Sequence, residues 1–239
     1  NQIPFIEDAK VADALYVGGY NGALAFAPRV NGRREMMYEQ RLTADVFDDL
    51  IQFLADRNMN FVYCRCDLDG DEISEVYITD RETEMGRAVA AMTDMTYEVD
   101  AGLLDRMRSG NLGIPPKVMI LPDPEHLDQT LDDLDRVFGD RVYMAWAVAG
   151  RIELMHPQVN KSVALKAIAD YAGVSMDEVM AIGDGNNDLP MLQAAGTGVL
   201  MGNADEATKA EGVRLGLHTT TSVEEDGFAS AVRKFVLDV

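Results

Sequence analysis

The chain has 239 residues, and its 21 basic and 41 acidic side chains give a formal net charge of -20. Such an acidic chain repels phosphate backbones, which argues against nucleic acid as a partner but not against a small phosphorylated metabolite. No run of 18 or more apolar residues is present, so we expect no membrane span. Cys64 and Cys66 have no second ligand cluster for zinc, and we expect buried, reduced thiols in a cytoplasmic protein.

The first part of the chain predicts antiparallel strands with a few helices. ALYVGGYNGALAFAP predicts two strands around a glycine-rich turn, and TADVFDDLIQFLADR predicts a helix that begins after Thr43. NFVYCRC and EISEVYITD predict two strands joined at Asp69-Gly70, a dipeptide typical of hairpins. KVMILP, an acidic helix over residues 124–138, RVYMAWAV and RIELMHP follow. Together these elements predict an α+β domain over residues 23–156.

From Pro157 onward, strands and helices alternate, which is typical of a parallel sheet covered by helices. NKSVALKAIADYAG predicts a helix whose apolar face carries Val163, Ala167, Ile168 and Tyr171. The later segments are the strand EVMAIGDG, the helix NDLPMLQAAG, the strand TGVLMGNA, the short helix DEATKAEG and the closing helix DGFASAVRKFVLDV. We therefore expect an α/β core over residues 157–239, to which residues 1–22 also belong.

The segment AIGDGNNDLPML is the strongest local signal for a functional site. Asp184 and Asp188 follow a predicted buried strand, and the carboxyl ends of parallel strands are where such sheets bind ligands. Two carboxylates at this edge suit Mg2+, which prefers oxygen ligands and keeps several waters. The alternative is that the two aspartates only cap the next helix.

Lys161 and Asn203 are predicted to reach the same edge. A lysine in the first turn of a helix opposes the helix dipole, so a bound phosphate would explain Lys161 better than stability does. Asn203 follows the next predicted strand in LMGNADEA. An exposed lysine and a helix cap are the alternatives for these two residues.

Taken together, NKSVALKAIADYAGVSMDEVMAIGDGNNDLPMLQAAGTGVLMGNADEATKAEG resembles the C-terminal half of a haloacid dehalogenase (HAD) superfamily hydrolase of the Cof type. VGGYNGALAF resembles the Asn-Gly-Ala stretch at which the core of that family passes into its cap domain. The pattern between the two is similar to the family's large α/β cap. The resemblance implies a HAD-like Rossmannoid core with an α+β cap. It also implies a Mg2+-dependent phosphatase of small phosphorylated metabolites that acts through a phospho-aspartate.

The resemblance also implies roles for individual residues. Lys161 would neutralise the transferred phosphoryl group and the nucleophile. Asp184 would bind Mg2+, and Asp188 would bind the metal or orient its shell. Asn187 would help to place the phosphate, and Asn203 would line the same pocket. At the junction of core and cap, the residues implied to face the cleft are Asn21 and Gly22.

The family's nucleophile lies in a D-x-D-x-T motif on the first core strand, and no such motif precedes Asn21 here. The strand-linked candidate is Asp67-Leu68-Asp69-Gly70, which Asp71 follows where the family has Thr. The alternating strand EISEVYITD comes next, so we predict a hairpin with exposed acids and not a nucleophile. A calcium loop is a poorer match, because its sixth position would be Glu72 and not Gly.

A core that lacks its first strand would leave backbone groups unpaired in the middle of its sheet. Together with the absence of an initial Met, this predicts that the chain is an N-terminally truncated form of a longer phosphatase. A non-catalytic relative that binds a phosphorylated ligand or a protein partner is the first alternative. A phosphotransferase of the mutase kind is the second.

Overall fold

The computed structural model describes residues 14–69, 72–93, 95–146 and 150–237. Two compact units divide these residues, one formed by 14–15 and 27–159, the other by 16–26 and 160–237. We call them the larger unit and the smaller unit. Among the described residues, no helix is both long enough and apolar enough to cross a membrane.

The larger unit has seven described strands: β3 (Met36–Glu39), β4 (Phe61–Asp69), β5 (Glu72–Thr79), β6 (Glu98–Val99), β7 (Lys117–Ile120), β8 (Tyr143–Trp146) and β9 (Ile152–Met155). Six of them form a mixed sheet with the order β6-β5-β4-β7-β9-β8. Neighbouring strands in this sheet pair antiparallel except β5 and β6, which are parallel and are joined through a helix, as is usual for a parallel connection. Its α-helices are α1 (Ala44–Asp56), α2 (Glu84–Thr93), α3 (Leu103–Arg108) and α4 (Leu127–Phe138).

One face of this sheet forms the core of the larger unit. Alternate strand residues point to the same face, so the fully buried side chains of β4, β7 and β9 pack together against α1, α3 and α4. They include Phe61, Tyr63, Val118, Ile120 and Leu154. The residues between them, such as Cys64, Lys117 and Glu153, point to the opposite face.

The predicted hairpin is confirmed. Strands β4 and β5 pair antiparallel from Val62 opposite Thr79 to Asp69 opposite Glu72, and Asp67 lies opposite Ser74. The turn residues 70 and 71 lie outside the described residues. Because Asp67 belongs to an antiparallel ribbon and pairs with Arg65 at 2.9 Å, the structure gives it no place at the end of a parallel strand.

The smaller unit carries the predicted alternation of strands and helices. Strands β10 (Met180–Gly183), β11 (Thr197–Leu200) and β12 (His218–Thr219) form a parallel sheet, and β1 (Val17–Gly19) pairs antiparallel with β2 (Leu24–Phe26). Its helices are α5 (Lys161–Ala172), α6 (Leu189–Ala194), α7 (Glu206–Arg214) and α8 (Gly227–Val232), which continues as a π-helical turn over Arg233–Leu237.

Two details of the predicted organisation differ from the structure. Along the chain, one unit gives way to the other after Phe26 and after Val159, a few residues beyond the expected boundaries at 22 and 156. The first boundary is later because β2 pairs with β1 and belongs to the same unit. Residues 14 and 15 belong to the larger unit, where Arg34 donates to the Leu15 carbonyl at 2.7 Å. Residues 1–13 lie outside the described residues.

The predicted apolar face of helix α5 is also wrong in part. Its buried side chains are Ala164 and Ala169, whereas Tyr171 is 51% exposed and stacks edge-on against the ring of Tyr16. Helix α5 contacts β1 and β2, and a Cβ on Gly18 would come within 3.8 Å of the Ala164 Cβ. Small residues, and not the large apolar ones, therefore permit this close packing.

Candidate functional site

The loop after β10 folds back so that its last carboxylate caps its own turn. Asp188 ends a 3-10 turn (Asn186–Asp188), and its Oδ2 accepts hydrogen bonds from the backbone N–H groups of Asp184 at 3.1 Å and Gly185 at 2.9 Å. The residue is 5% exposed. A Cβ at position 183 would lie 2.5 Å from the Asp188 Cβ, so this turn requires Gly183.

Lys161 reaches the same carboxylate from helix α5. Asn160 caps that helix, because its side-chain oxygen accepts a hydrogen bond from the Ser162 N–H at 3.0 Å. The cap holds the first helical turn, which carries Lys161, in place. The Lys161 Nζ lies 2.5 Å from the Asp188 Oδ1. With one oxygen on the lysine and the other on two backbone N–H groups, both oxygens of Asp188 are occupied.

Asp184 is exposed to solvent, and a residue that follows the next strand, β11, hydrogen-bonds to its carboxylate. Its Oδ2 accepts a hydrogen bond of 2.7 Å from the Asn203 Nδ2, and the Asn203 Oδ1 accepts from the Val223 N–H at 3.1 Å. The cap of α7 is Asp205, so the alternative that Asn203 caps this helix is wrong. The parallel pairing of β10 with β11 explains why two residues far apart in the sequence meet.

The turn between β1 and β2 contributes Asn21 and Gly22. The Asn187 Nδ2 donates to the Asn21 Oδ1 at 3.1 Å. Gly22 has a φ of +103°, and a Cβ there would lie 2.1 Å from the Asn160 carbonyl oxygen. The glycine therefore allows the turn to approach the start of helix α5, next to Lys161.

The smaller unit thus brings all seven predicted site residues to one set of neighbouring loops. One cation, one buried carboxylate, one exposed carboxylate and three side-chain amides lie among them. The sequence reasoning missed Asn160 and Val223, which position Lys161 and Asn203. Asn160 could have been found, because an asparagine directly before a predicted helix is a typical cap. Val223 could not, because it contributes a backbone N–H, which every residue except proline has.

The two carboxylates are compatible with a bound Mg2+. Within the residues that the structure describes, no three or more His, Cys, Asp or Glu side chains cluster as a metal site. Mg2+ does not require such a cluster, because one or two carboxylates with waters and a substrate phosphate are its usual ligands. Asp184 is the better direct ligand, since its carboxylate is exposed while that of Asp188 is already bound on both oxygens.

Comparison with curated sequences gives two relatives of different coverage. The curated phosphatase YitU of Bacillus subtilis, named for 5-amino-6-(5-phospho-D-ribitylamino)uracil, is 30% identical over 221 residues, which take in 90% of this chain and 74% of that protein. The chloroplastic endoribonuclease YBEY of Arabidopsis thaliana is 39% identical over 97 residues. This match takes in 41% of the chain and only 16% of that protein, so it carries no inference about ribonuclease activity.

The structural comparison supports the fold. A haloacid dehalogenase-like hydrolase from Bacteroides thetaiotaomicron matches with a TM-score of 0.73 and 24% identity, covering 97% of this chain and 80% of that one. The family model described as haloacid dehalogenase-like hydrolase matches residues 1–232. The chain therefore belongs to the haloacid dehalogenase-like hydrolase family.

Proposed function

We propose that the protein is a Mg2+-dependent phosphatase of small phosphorylated metabolites. The observation that carries the proposal is the ion pair between Lys161 and the buried Asp188, beside the exposed carboxylate of Asp184. The family membership and the phosphatase name of the relative YitU support it. The smaller unit would bind the phosphoryl group, and the larger unit would act as the cap.

Lys161 supplies positive charge to the phosphoryl group in this proposal. A phosphate monoester is a dianion that repels an anionic nucleophile, so a cation held beside the phosphorus lowers the cost of the attack. Asp188 keeps the ammonium group in place, and the backbone N–H groups of the turn keep Asp188 in place. Little has to rearrange when the substrate binds.

Asp184 would hold Mg2+, with Asp188 acting through Lys161 and the turn. Bound there, the metal would supply further positive charge for the phosphoryl oxygens. Asn203 keeps the Asp184 carboxylate pointed at the site through its 2.7 Å hydrogen bond. Asn187 and Asn21 would offer side-chain amides to the phosphate or to its leaving group.

Among the residues that the structure describes, none is assigned the role of the attacking carboxylate. Asp67 is the strand-linked candidate, and it lies in the antiparallel hairpin of the larger unit with its carboxylate on Arg65. The position of Asp67 in that hairpin also favours a second candidate function, that of a non-catalytic protein that binds a phosphorylated ligand. Only the phosphatase would turn over its substrate, whereas both functions would require the site that contains Lys161.

The test is phosphate release from a panel of sugar phosphates and cofactor phosphates, with the protein expressed from its natural coding sequence. We expect release from at least one substrate with Mg2+ and none after chelation by EDTA. Stabilisation by a phosphorylated compound without release would favour the binding function. Release that persists in EDTA would contradict the role of the metal, and neither release nor stabilisation would contradict both functions.

A further inference from the structure

The two oxygens of the Asp184 carboxylate differ in their surroundings. Oδ2 accepts the 2.7 Å hydrogen bond from the Asn203 Nδ2, whereas among the described residues no group donates to Oδ1. The second aspartate of the loop is bound on both sides, because Lys161 contacts the Asp188 Oδ1 and two backbone N–H groups donate to its Oδ2. Of the four carboxylate oxygens of these two aspartates, the Asp184 Oδ1 is therefore the one most available to a cation.

The backbone N–H of Val223 fixes which end of the Asn203 amide faces Asp184. An N–H group can only donate, so the amide oxygen faces Val223 and accepts there at 3.1 Å. The NH2 end of the amide is left for the Asp184 Oδ2. The reversed amide would place NH2 against N–H and an oxygen against the carboxylate, and both contacts are unfavourable.

The turn that carries this N–H packs closely against the loop of Asn203. It is a 3-10 turn (Val223–Glu225) that begins after Ser222, and the Glu225 carboxylate accepts from the Ser222 hydroxyl at 3.1 Å. A Cβ at position 202 would lie 2.8 Å from the Ser222 nitrogen, so Gly202 permits the close approach of the two loops. Contacts of the turn itself, and not Asn203 alone, therefore hold the donor in position.

The number of accessible carboxylate oxygens bears on the choice between Mg2+ and Ca2+. Mg2+ prefers octahedral coordination, keeps several waters and binds one or two carboxylates, whereas Ca2+ takes roughly six to eight oxygens and often binds both oxygens of one carboxylate. An amide NH2 group on Oδ2 competes with a cation for that oxygen, because both are positively polarised. Binding through Oδ1 alone suits Mg2+ and denies Ca2+ its second contact.

We propose that Asn203, oriented by the Val223 N–H, restricts Asp184 to binding a metal through one oxygen and so makes the site prefer Mg2+ to Ca2+. Asn203 is a positioning residue, since it acts through Asp184. The proposal rests on the proposed function in taking Asp184 as the metal ligand. Loss of the amide donor should change the affinities for the two ions unequally, which an interaction that served stability alone would not do.

Calorimetric titration of the protein, expressed from its natural coding sequence, with Mg2+ and with Ca2+ gives the ratio of the two affinities. We expect Asn203→Leu, which is similar in size and has no donor, to shift this ratio toward Ca2+ by about tenfold. Asn203→Asp keeps an acceptor for the Val223 N–H and should shift the ratio at least as far. Asn111→Leu, the same change on an exposed asparagine of the larger unit, should leave the ratio unchanged.

Val223→Pro removes the orienting N–H. Proline suits the first position of a helical turn, and the preceding Ser222 already has an extended backbone with a φ of -72° and a ψ of 170°. The Val223 side chain is 62% exposed, so we expect the variant to unfold like the natural protein. The affinity ratio should shift toward Ca2+ by about threefold or more. An unchanged ratio would overturn the orienting role of this N–H.

Asp184→Asn separates failure of this proposal from failure of the proposed function, because it should weaken Mg2+ binding by about tenfold or more. If it does so while Asn203→Leu keeps the natural ratio, or weakens both ions equally, the selectivity proposal alone is overturned. If the natural protein binds neither ion, or if Asp184→Asn binds Mg2+ as well as the natural protein does, the role of Asp184 as a metal ligand is overturned with it.

Discussion

Lys161 and Asp188 form an ion pair of 2.5 Å although 27 residues separate them in the sequence. The carboxylate is 7% exposed and the lysine side chain 36% exposed, so the pair has a buried anionic end and an accessible cationic end. A bound phosphoryl group would meet the cationic end. Under the proposed function, this contact would serve both the stability of the turn and the binding of the phosphoryl group.

Replacement of the lysine tests that contact. Lys161→Met leaves the buried carboxylate with its two backbone donors only, and we expect the free energy of unfolding to fall by about 1–2 kcal/mol. Phosphatase activity should fall by about 100-fold or more, because the cation beside the phosphoryl group is lost. Urea unfolding and steady-state kinetics measure the two effects.

Lys166→Met is the matched control, because Lys166 is an exposed lysine of the same helix α5. It should change neither quantity appreciably. Equal effects of the two substitutions would show that a general loss of positive charge, and not the Asp188 contact, is responsible.

The two aspartates should separate stability from activity. In Asp188→Asn an amide NH2 group must face either Lys161 or two backbone N–H groups, all of them donors, so we expect a loss of about 2–4 kcal/mol. Asp184→Asn changes an exposed side chain and should cost less than about 0.5 kcal/mol. Thermal or urea unfolding of both variants provides the comparison, and the reverse order would contradict the described turn.

Gly22 is predicted to be intolerant of any side chain. Gly22→Ala combines a positive φ with a Cβ only 2.1 Å from the Asn160 carbonyl oxygen, and we expect it to destabilise the protein by at least about 3 kcal/mol. Gly216→Ala also has a positive φ but meets no atom within 4 Å, so it should cost about 1 kcal/mol. A similar cost for both, measured by urea unfolding, would show that the turn does not approach helix α5.

The two cysteine thiols are predicted to be unreactive in the folded protein. Burial raises the pKa of both Cys64 and Cys66 to about 12, with nearby acidic groups adding to the effect at Cys66. The neutral thiol therefore predominates at about pH 8, and we expect no alkylation by iodoacetamide until a denaturant is added. Mass spectrometry gives the number of alkylated cysteines, and rapid modification of either thiol in the folded protein would contradict the burial of the two side chains.

The sequence predicted the parts of the fold that depend on local pattern. Strand β10, its glycine turn and the following helix carry their information within a dozen consecutive residues, as does the hairpin of β4 and β5. The predicted buried face of α5 was wrong in part because burial there depends on tertiary contacts: the buried side chains are Ala164 and Ala169, and Ala164 lies near Gly18 of β1. The short strand β12 has no apolar run of its own, and its two residues are exposed.

In the candidate site, too, the features set by local sequence pattern were predicted and those set by tertiary structure were not. Asp184 and Asp188 were identified from their strand-turn-helix setting. Their pattern left open which of the two carboxylates turns back to its own backbone, because that depends on the space that Gly183 provides for the turn. The hydrogen bond between Asn21 and Asn187 joins residues 166 positions apart and follows from tertiary structure alone.

The most direct test of the central claim is the turnover of Asp184→Asn with the best substrate of the phosphate panel, measured across a Mg2+ titration. The natural protein should hydrolyse that substrate only with Mg2+, and the variant should lose about 100-fold or more in kcat while unfolding like the wild type. Asp170→Asn, on an exposed aspartate of helix α5, should remain active. An Asp184→Asn protein with unchanged kcat and unchanged Mg2+ dependence would contradict the assignment of this loop as the phosphoryl-transfer site.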